Sequence, residues 1–307
     1  MNNSKTSNLT IVMYHYIRDA EATDFPKIHA LGVGEFCRQI EKLLVTYHIV
    51  SPEQVADYIL GDEPLPENSC VLSFDDGLKD HYINAFPLLV RYNISGWFFP
   101  ITSTLDGVVA DVNKLQFILA KLDTKTIVNE FHNFTNEYAP ESKIDFSIDD
   151  KVKKDARYRF DDVLTANLKT TIQIMPNDLR ARFLYNMFTK FIGNEKKFSH
   201  DLYLSIKEIK EMSKMGQVFG SHTHTHPRLD QLSLPKQEEE LAYSSETIKS
   251  ILGKAPKTLS YPYGRYNKIT LELLSRLGYN LCLGTEVGVN NGIFNRWSLK
   301  RINANDI

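Results

Sequence analysis

Two adjacent carboxylates, Asp75 and Asp76, close the apolar run Cys70-Val71-Leu72-Ser73-Phe74 and are followed at once by Gly77. A continuous apolar run marks a strand buried on both faces, and in α/β folds chemistry gathers where such strands end. Side chains alternate along a strand. Where the chain turns at a glycine, however, two neighbouring carboxylates can be aimed at one site with different roles, one on a cation and one free as a base. A second set lies far along the chain in His222-Thr223-His224-Thr225-His226, directly after another short strand-like run. With a carboxylate from another strand end, His222 and His226 form a His-His-Asp facial ligand set that leaves cation positions open for water and substrate. His224, between them, is expected to point elsewhere. A further chemically able group, His15, ends the first apolar run, Thr10-Ile11-Val12-Met13-Tyr14.

The elements that must position these groups alternate in type. The patterning predicts strands at Thr10 to Tyr14, Cys70 to Phe74, Gly96 to Ile101, Gln217 to Ser221, Thr258 to Ser260, Tyr279 to Gly284 and Trp297 to Ile302. Between them it predicts helices at Phe36 to Tyr47, from Ser51-Pro52-Glu53 onward, at Tyr82 to Tyr92, Ser205 to Met215, Pro235 to Leu252 and Asn267 to Leu277. Six or seven strands alternating with helices imply right-handed crossovers and a parallel sheet. A closed, irregular barrel is favoured over an open sheet, because His15, Asp75, Asp76, His222, His226, Tyr263 and Arg301 would then converge on one mouth. From about residue 105 to 204 the strand signal fades while helical patterns recur at Leu115 to Leu122, Thr126 to Tyr138, Asp161 to Met175 and Leu179 to Ile192. That block reads as a mainly helical insertion that shapes access to the site, with the charged piece 140–155 as loop, inside a single domain spanning 1–307.

Composition narrows the class. At 307 residues, 42% hydrophobic and 24% charged, the chain has the make-up of an ordinary globular protein with a large core. A formal charge of -2 gives no footprint for a polyanion, so nucleic acid is not expected as a partner. Three scattered cysteines, Cys37, Cys70 and Cys282, suggest neither a disulfide framework nor a thiolate metal site, and fit a reducing compartment. The run Leu9 to Tyr14 is too short for a signal h-region or a membrane span, which gives a cytoplasmic expectation.

Three ordered motifs carry a resemblance. Ser73-Phe74-Asp75-Asp76-Gly77 resembles the T/S-F-D-D-G motif of the polysaccharide deacetylase (NodB-homology) superfamily, His222 to His226 resembles its H-S/T-x-x-H motif, and Tyr261-Pro262-Tyr263-Gly264 is similar to its proline-tyrosine-glycine motif. The opening Met13-Tyr14-His15-Tyr16 resembles a branch whose chain begins with the strand bearing the active-site histidine. The resemblance implies an irregular (β/α) barrel of about seven parallel strands. It implies Asp75 as general base, Asp76, His222 and His226 as metal ligands, the Tyr263 backbone N–H as an oxyanion donor and His15 as general acid. The expected cofactor is one divalent cation, zinc first, with Co2+, Fe2+, Ni2+ or Mn2+ as other candidates. The expected reaction removes an N-acetyl group from an amino sugar of a surface-glycan precursor or polysaccharide: a water made acidic by the cation gives its proton to Asp75, and the leaving amine collects one from His15.

The chain departs from the family pattern at two points. Ser260 stands where an arginine usually precedes the third motif and orients the base, and no D-x-x-D-W motif is present. Arg301 and Arg18 are the residues expected to supply that charge. The substrate is expected to be an acylated amino sugar, nucleotide-linked, lipid-linked or polymeric. Removal of a formyl or other acyl group, and a non-catalytic glycan-binding role, are the alternatives, and an intact Asp75 argues against the latter. Trp97, Phe98 and Phe99 are read as core, and His81, His224 and the Lys/Glu runs at 195–214 and 236–240 as structural or solvated.

Overall fold

The computed structural model describes residues 7–61, 63–142, 144–153, 161–292 and 294–307; residues 1–6 and, within the expected 140–155 loop, residues 143, 154 and 155 lie outside the described set. Along the chain run β1 (Leu9–Tyr14), α1 (Val33–Thr46), β2 (His48–Ile49), α2 (Pro52–Leu60), β3 (Ser69–Asp76), α3 (Phe86–Arg91) and β4 (Trp97–Pro100). Helices α4 (Asp111–Lys121), α5 (Thr124–Tyr138), α6 (Val163–Ile174), α7 (Asn177–Phe191), α8 (Glu195–Leu202) and α9 (Ile206–Lys214) follow. The chain closes with β5 (Val218–Phe219), α10 (Leu234–Leu252), β6 (Thr258–Ser260), α11 (Lys268–Arg276), β7 (Leu281–Val287) and β8 (Leu299–Asn303). Two compact units result, one of residues 1–19, 29–110 and 196–307, the other of 20–28 and 111–195. No described helix is long and apolar enough to cross a membrane.

The first unit holds the expected (β/α) barrel. Seven parallel strands pair in the order β5-β4-β3-β1-β8-β7-β6, with β2 beside β3 off that path. A parallel bridge between Ser221 and Leu259 joins the two ends, Ser221 donating from its N–H to the Thr258 carbonyl at 2.9 Å and Ser260 to the Ser221 carbonyl at 2.9 Å. Closure brings backbones tightly together there: a Cβ on Gly220 would lie 2.4 Å from the Phe99 ring and 2.5 Å from Thr258 Oγ1, so only glycine fits. β5 is accordingly only two residues long, shorter than the expected Gln217 to Ser221.

Strand alternation sorts the core into an inner and an outer set. Leu9, Ile11, Val71, Trp97, Phe99, Leu281, Leu283 and Leu299 pack together as one cluster, which Val55 and Tyr58 of α2 extend. Their neighbours along the same strands, Val12, Tyr14, Cys70, Leu72, Phe74 and Phe98, face α1, α3 and α9 through Phe36, Ile40, Leu89 and Met212. Trp97, Phe98 and Phe99 are thus core, and the Trp97 indole N–H reaches Thr258 Oγ1 at 2.9 Å.

The helix starts follow local chemistry. Ser51 and Ser205 form capping boxes with Gln54 and Glu208, while Asp123 and Asp162 accept the N–H groups of Thr126 and Thr165. The expected helix Tyr82 to Tyr92 instead opens with a π turn, His81–Ala85, in which the Phe86 N–H donates to the His81 carbonyl. Pro87 supplies the reason: it has no N–H to give and its ring would press on the carbonyl four residues back, so the backbone widens one turn earlier. In the second unit the four amphipathic helices α4 to α7 bury Phe117, Ile118, Phe131, Phe134, Phe183 and Phe188, with Phe131 set edge-on to Phe183 at 5.3 Å. Lys114, nearly buried, is neutralised there by Glu195 at 2.9 Å and Asp111 at 3.8 Å.

Candidate metal and hydrolytic site

At the C-terminal end of β3 the alternation delivers Asp75 inward, and a turn then redirects Asp76. Both Asp76 and Gly77 take left-handed φ of 71°, and a Cβ on Gly77 would stand 2.7 Å from Pro100. Of the six described non-glycine residues with left-handed φ, four (Asp76, Thr223, His226 and Tyr263) belong to this one site. Such conformations cost about 1–3 kcal/mol each and persist where the surroundings enforce them, as at ligand clamps and active sites.

Asp76, His222 and His226 converge. Their ligand atoms lie within 4.8 Å of one another, with Asp76 Oδ1 3.5 Å from His222 Nε2 and 3.9 Å from His226 Nε2. His222 Nδ1 sits 2.7 Å from the Ser260 carbonyl, which can only accept, so that nitrogen carries a proton and Nε2 is the atom turned to Asp76. A carboxylate oxygen facing a bare imidazole nitrogen in a buried place is stabilised only by a proton or a cation between them. The proton affinities agree. Burial opposes charge on all three groups, yet the two carboxylates raise His222, while the His222 hydrogen bond and the nearby His15 and His226 hold Asp76 far below the usual carboxylate range. His226 is pushed down to about 3, first by burial and then by His222, and keeps its imidazole neutral for coordination. The donor set fits a divalent cation of the zinc type, two imidazoles and one carboxylate.

Asp75 stands apart from that trio. Arg301 Nη1 reaches Asp75 Oδ1 at 2.9 Å and Arg301 Nη2 reaches Asp75 Oδ2 at 2.8 Å, while Ser260 Oγ donates to Oδ2 at 3.0 Å. The guanidinium also donates to the Gly284 carbonyl and to Ser260 Oγ. Burial raises the Asp75 carboxyl, but Arg301 and His222 outweigh it and hold it at about 2, ionised throughout the neutral range. The positive charge missing from the position of Ser260 therefore arrives from β8, with the serine hydroxyl bridging the Asp75 carboxylate and the guanidinium. Arg18 goes elsewhere, gripping Asp80 through Nε and Nη2 at 2.7 Å each.

His15 follows β1 directly and is half-buried, an electrostatic neighbour of Asp75, Asp76 and His226. Tyr263 (φ 56°) lies edge-on to His226 at 4.9 Å between ring centres, so the third motif stands beside the ligand trio. His224 does point away: its Nδ1 pairs with Thr102 Oγ1 at 3.0 Å and its ring lies against Tyr243. Glu240 of α10 accepts the backbone N–H groups of His224 and Thr225, which holds the loop between the two histidines. Ser73, Ser260, Glu240 and His81 were not legible as site-supporting residues. For Ser73 and Ser260 a signal exists: each is a small polar residue buried near the end of a barrel strand.

A family model described as polysaccharide deacetylase matches residues 149–282. The Bacillus subtilis (strain 168) protein YxkH, which carries the name of a polysaccharide deacetylase, is 27% identical over 300 residues, covering 97% of this chain and 72% of the relative. The poly-beta-1,6-N-acetyl-D-glucosamine N-deacetylase of Escherichia coli (strain K12) is 22% identical over 245 residues, covering 80% of this chain but only 29% of that protein. Among solved structures, the Streptococcus pyogenes deacetylase PplD in complex with acetate superposes with a TM-score of 0.60 at 21% identity, over 97% of this chain and 92% of that one, a likeness of fold. The three motifs, the family model over 149–282 and the relatives are all similar to the polysaccharide deacetylase (NodB-homology) superfamily, and the barrel is the fold that this similarity implies.

Proposed function

We propose that this protein is a metal-dependent hydrolase that removes the N-acetyl group from an amino sugar of a glycan or glycan precursor, with Asp75 as base and His15 as acid. One observation carries the reading: an ionised, fully buried carboxylate held by Arg301 and Ser260 stands directly beside a separate Asp-His-His ligand set. A protein that only bound a cation or a glycan has no use for that second charge, whose burial costs several kcal/mol when unpaired. The similarity to a poly-beta-1,6-N-acetyl-D-glucosamine N-deacetylase supports an N-acetylated glucosamine unit as the substrate class.

Asp76, His222 and His226 would hold a divalent cation, zinc by donor chemistry, which would supply Lewis acidity to the acyl carbonyl and lower the pKa of an attacking water. Asp75 receives the proton of that water on a carboxylate whose orientation Arg301 and Ser260 fix. The Tyr263 N–H donates to the carbonyl oxygen as negative charge develops there. His15 returns a proton to the nitrogen, so that the amine leaves neutral and acetate is the second product.

The test is acid release from polymeric, nucleotide-linked and lipid-linked N-acylamino sugars by zinc-loaded protein. Acetate from at least one N-acetylated sugar is expected. Formate from N-formyl sugars with no acetate would move the activity to a deformylase, and a metal-loaded protein that released no acid from any of them would refute the hydrolase reading.

A further inference from the structure

The loop that carries His15 is held by a turn that no motif includes. His81 Nε2 lies 2.9 Å from the His15 carbonyl, Asp80 Oδ2 accepts the Ile17 N–H at 3.0 Å, and Asn84 Nδ2 donates to the Ile17 carbonyl at 2.7 Å. Asp80 also grips the Arg18 side chain. On its other side the loop is bonded to Leu31, whose N–H meets the Tyr16 carbonyl at 3.0 Å and whose carbonyl meets the Arg18 N–H at 2.9 Å. Asp80, His81 and Asn84 all belong to the π turn and its first flanking residue, which follow Asp75-Asp76-Gly77 on the same stretch of chain.

His81 is the informative member. It is wholly buried, 5.4 Å from the Phe74 ring and 5.9 Å from that of Phe98, where a phenylalanine would satisfy the packing. A carbonyl can only accept, so Nε2 carries the proton, and Nδ1 is then a buried acceptor without a hydrogen-bond partner. Leaving such an atom unsatisfied costs about 1–3 kcal/mol. A histidine in this apolar slot therefore has one structural product, its bond to the His15 backbone.

We propose that Asp80, His81 and Asn84 are positioning residues that fix His15 for proton transfer, so that one continuous segment, 75–84, supplies the base, a metal ligand and the support of the acid. The proposal rests on the reading of His15 as the acid. A displaced acid loses transition-state contact while ground-state binding of the sugar persists, which places the effect in kcat rather than KM.

A double-mutant cycle on the zinc-loaded protein tests it, using His81→Phe, His15→Ala and the combination. His81→Phe keeps the ring packing and removes the donor. It should lower kcat about tenfold, the worth of one buried hydrogen bond, with KM and zinc content unchanged. His81→Gln, which can offer an N–H again, should recover most of the loss. In the His15→Ala background His81→Phe should change nothing further. Equal losses in both backgrounds, or no loss in the wild-type background, would overturn the positioning role while leaving His15 as the acid. Wild-type turnover by His15→Ala would instead remove the acid assignment itself, a separately visible failure. Should His81→Phe not fold, Asn84→Ala, at a half-buried position of the same clamp, enters the same cycle with the same expected pattern.

Discussion

The lower and upper levels of the barrel interior are built by the same strands and do opposite things. One level is apolar: Ile11, Val71, Trp97, Leu283 and Leu299 fill it with hydrocarbon. Two residues further along β3 and β8, on the same inward face, stand Ser73 and Arg301, and β6 and β3 add Ser260 and Asp75. Chemistry in this molecule is therefore a property of a level, not of a strand. The lower level makes the walls rigid by burial alone, and the upper level can keep a charged pair in the dry interior because each member has fixed partners. Arg301 alone touches Asp75, Ser260, Ser73 and the Gly284 carbonyl.

The comparison can be broken by truncating each level in turn. Arg301→Ala carries the largest expected effect, because it leaves Asp75 charged and unpaired in the interior. It should cost about 3–5 kcal/mol in chemical denaturation and depress turnover as well. Leu283→Ala, at the lower level, should cost about 2–5 kcal/mol by cavity formation, yet leave kcat and zinc content at their wild-type values under conditions where it is folded. If Leu283→Ala lowered kcat as much as Arg301→Ala, the separation of levels would be wrong. Ser260→Ala should reverse the signature, losing only about 1 kcal/mol of stability while turnover falls, since the hydroxyl links the Asp75 carboxylate to the Arg301 guanidinium.

The smallest expected effect is a pH dependence. Burial pushes His81 down to about 4, below its ordinary value near 6.5. The unfolded chain therefore binds more protons than the folded one between those values, so the His81 contribution is intact above about pH 6.5 and declines as pH falls towards 4. The melting-temperature difference between wild type and His81→Phe should shift in favour of His81→Phe across that window as pH is lowered. Parallel curves would place the proton elsewhere.

Much of this was legible in the sequence because two kinds of signal coincide at the strand ends. Apolar runs that stop at Asp75, His222 and Tyr263 mark both a buried strand and a turn, and the strands predicted from them meet in one barrel. What stayed hidden depends on tertiary placement. β2, at His48–Ile49, is too short to show a period, and the exposed, polar end of β7, 285–287, looks like loop until it pairs with Arg301 through Val287. The choice between Arg301 and Arg18 lay beyond sequence as well, since both follow apolar runs. Only the barrel register carries one to Asp75, while the chain path carries the other to Asp80. α8 lies within a Lys/Glu-rich run read as solvated, and its buried face is confined to Ser199 and Leu202.

The central claim is that Asp75 and Asp76, neighbours in the chain, divide base and ligand between them. Zinc content and acetate release, measured side by side on Asp75→Asn and Asp76→Asn purified without chelator, test it most directly. The account expects Asp75→Asn to keep its zinc at the wild-type level and to lose turnover by on the order of 10²–10⁴, since the amide is nearly isosteric but cannot take up the proton. It expects Asp76→Asn to lose the metal. Zinc lost from Asp75→Asn, or acetate released by it at the wild-type rate, would contradict that division of labour.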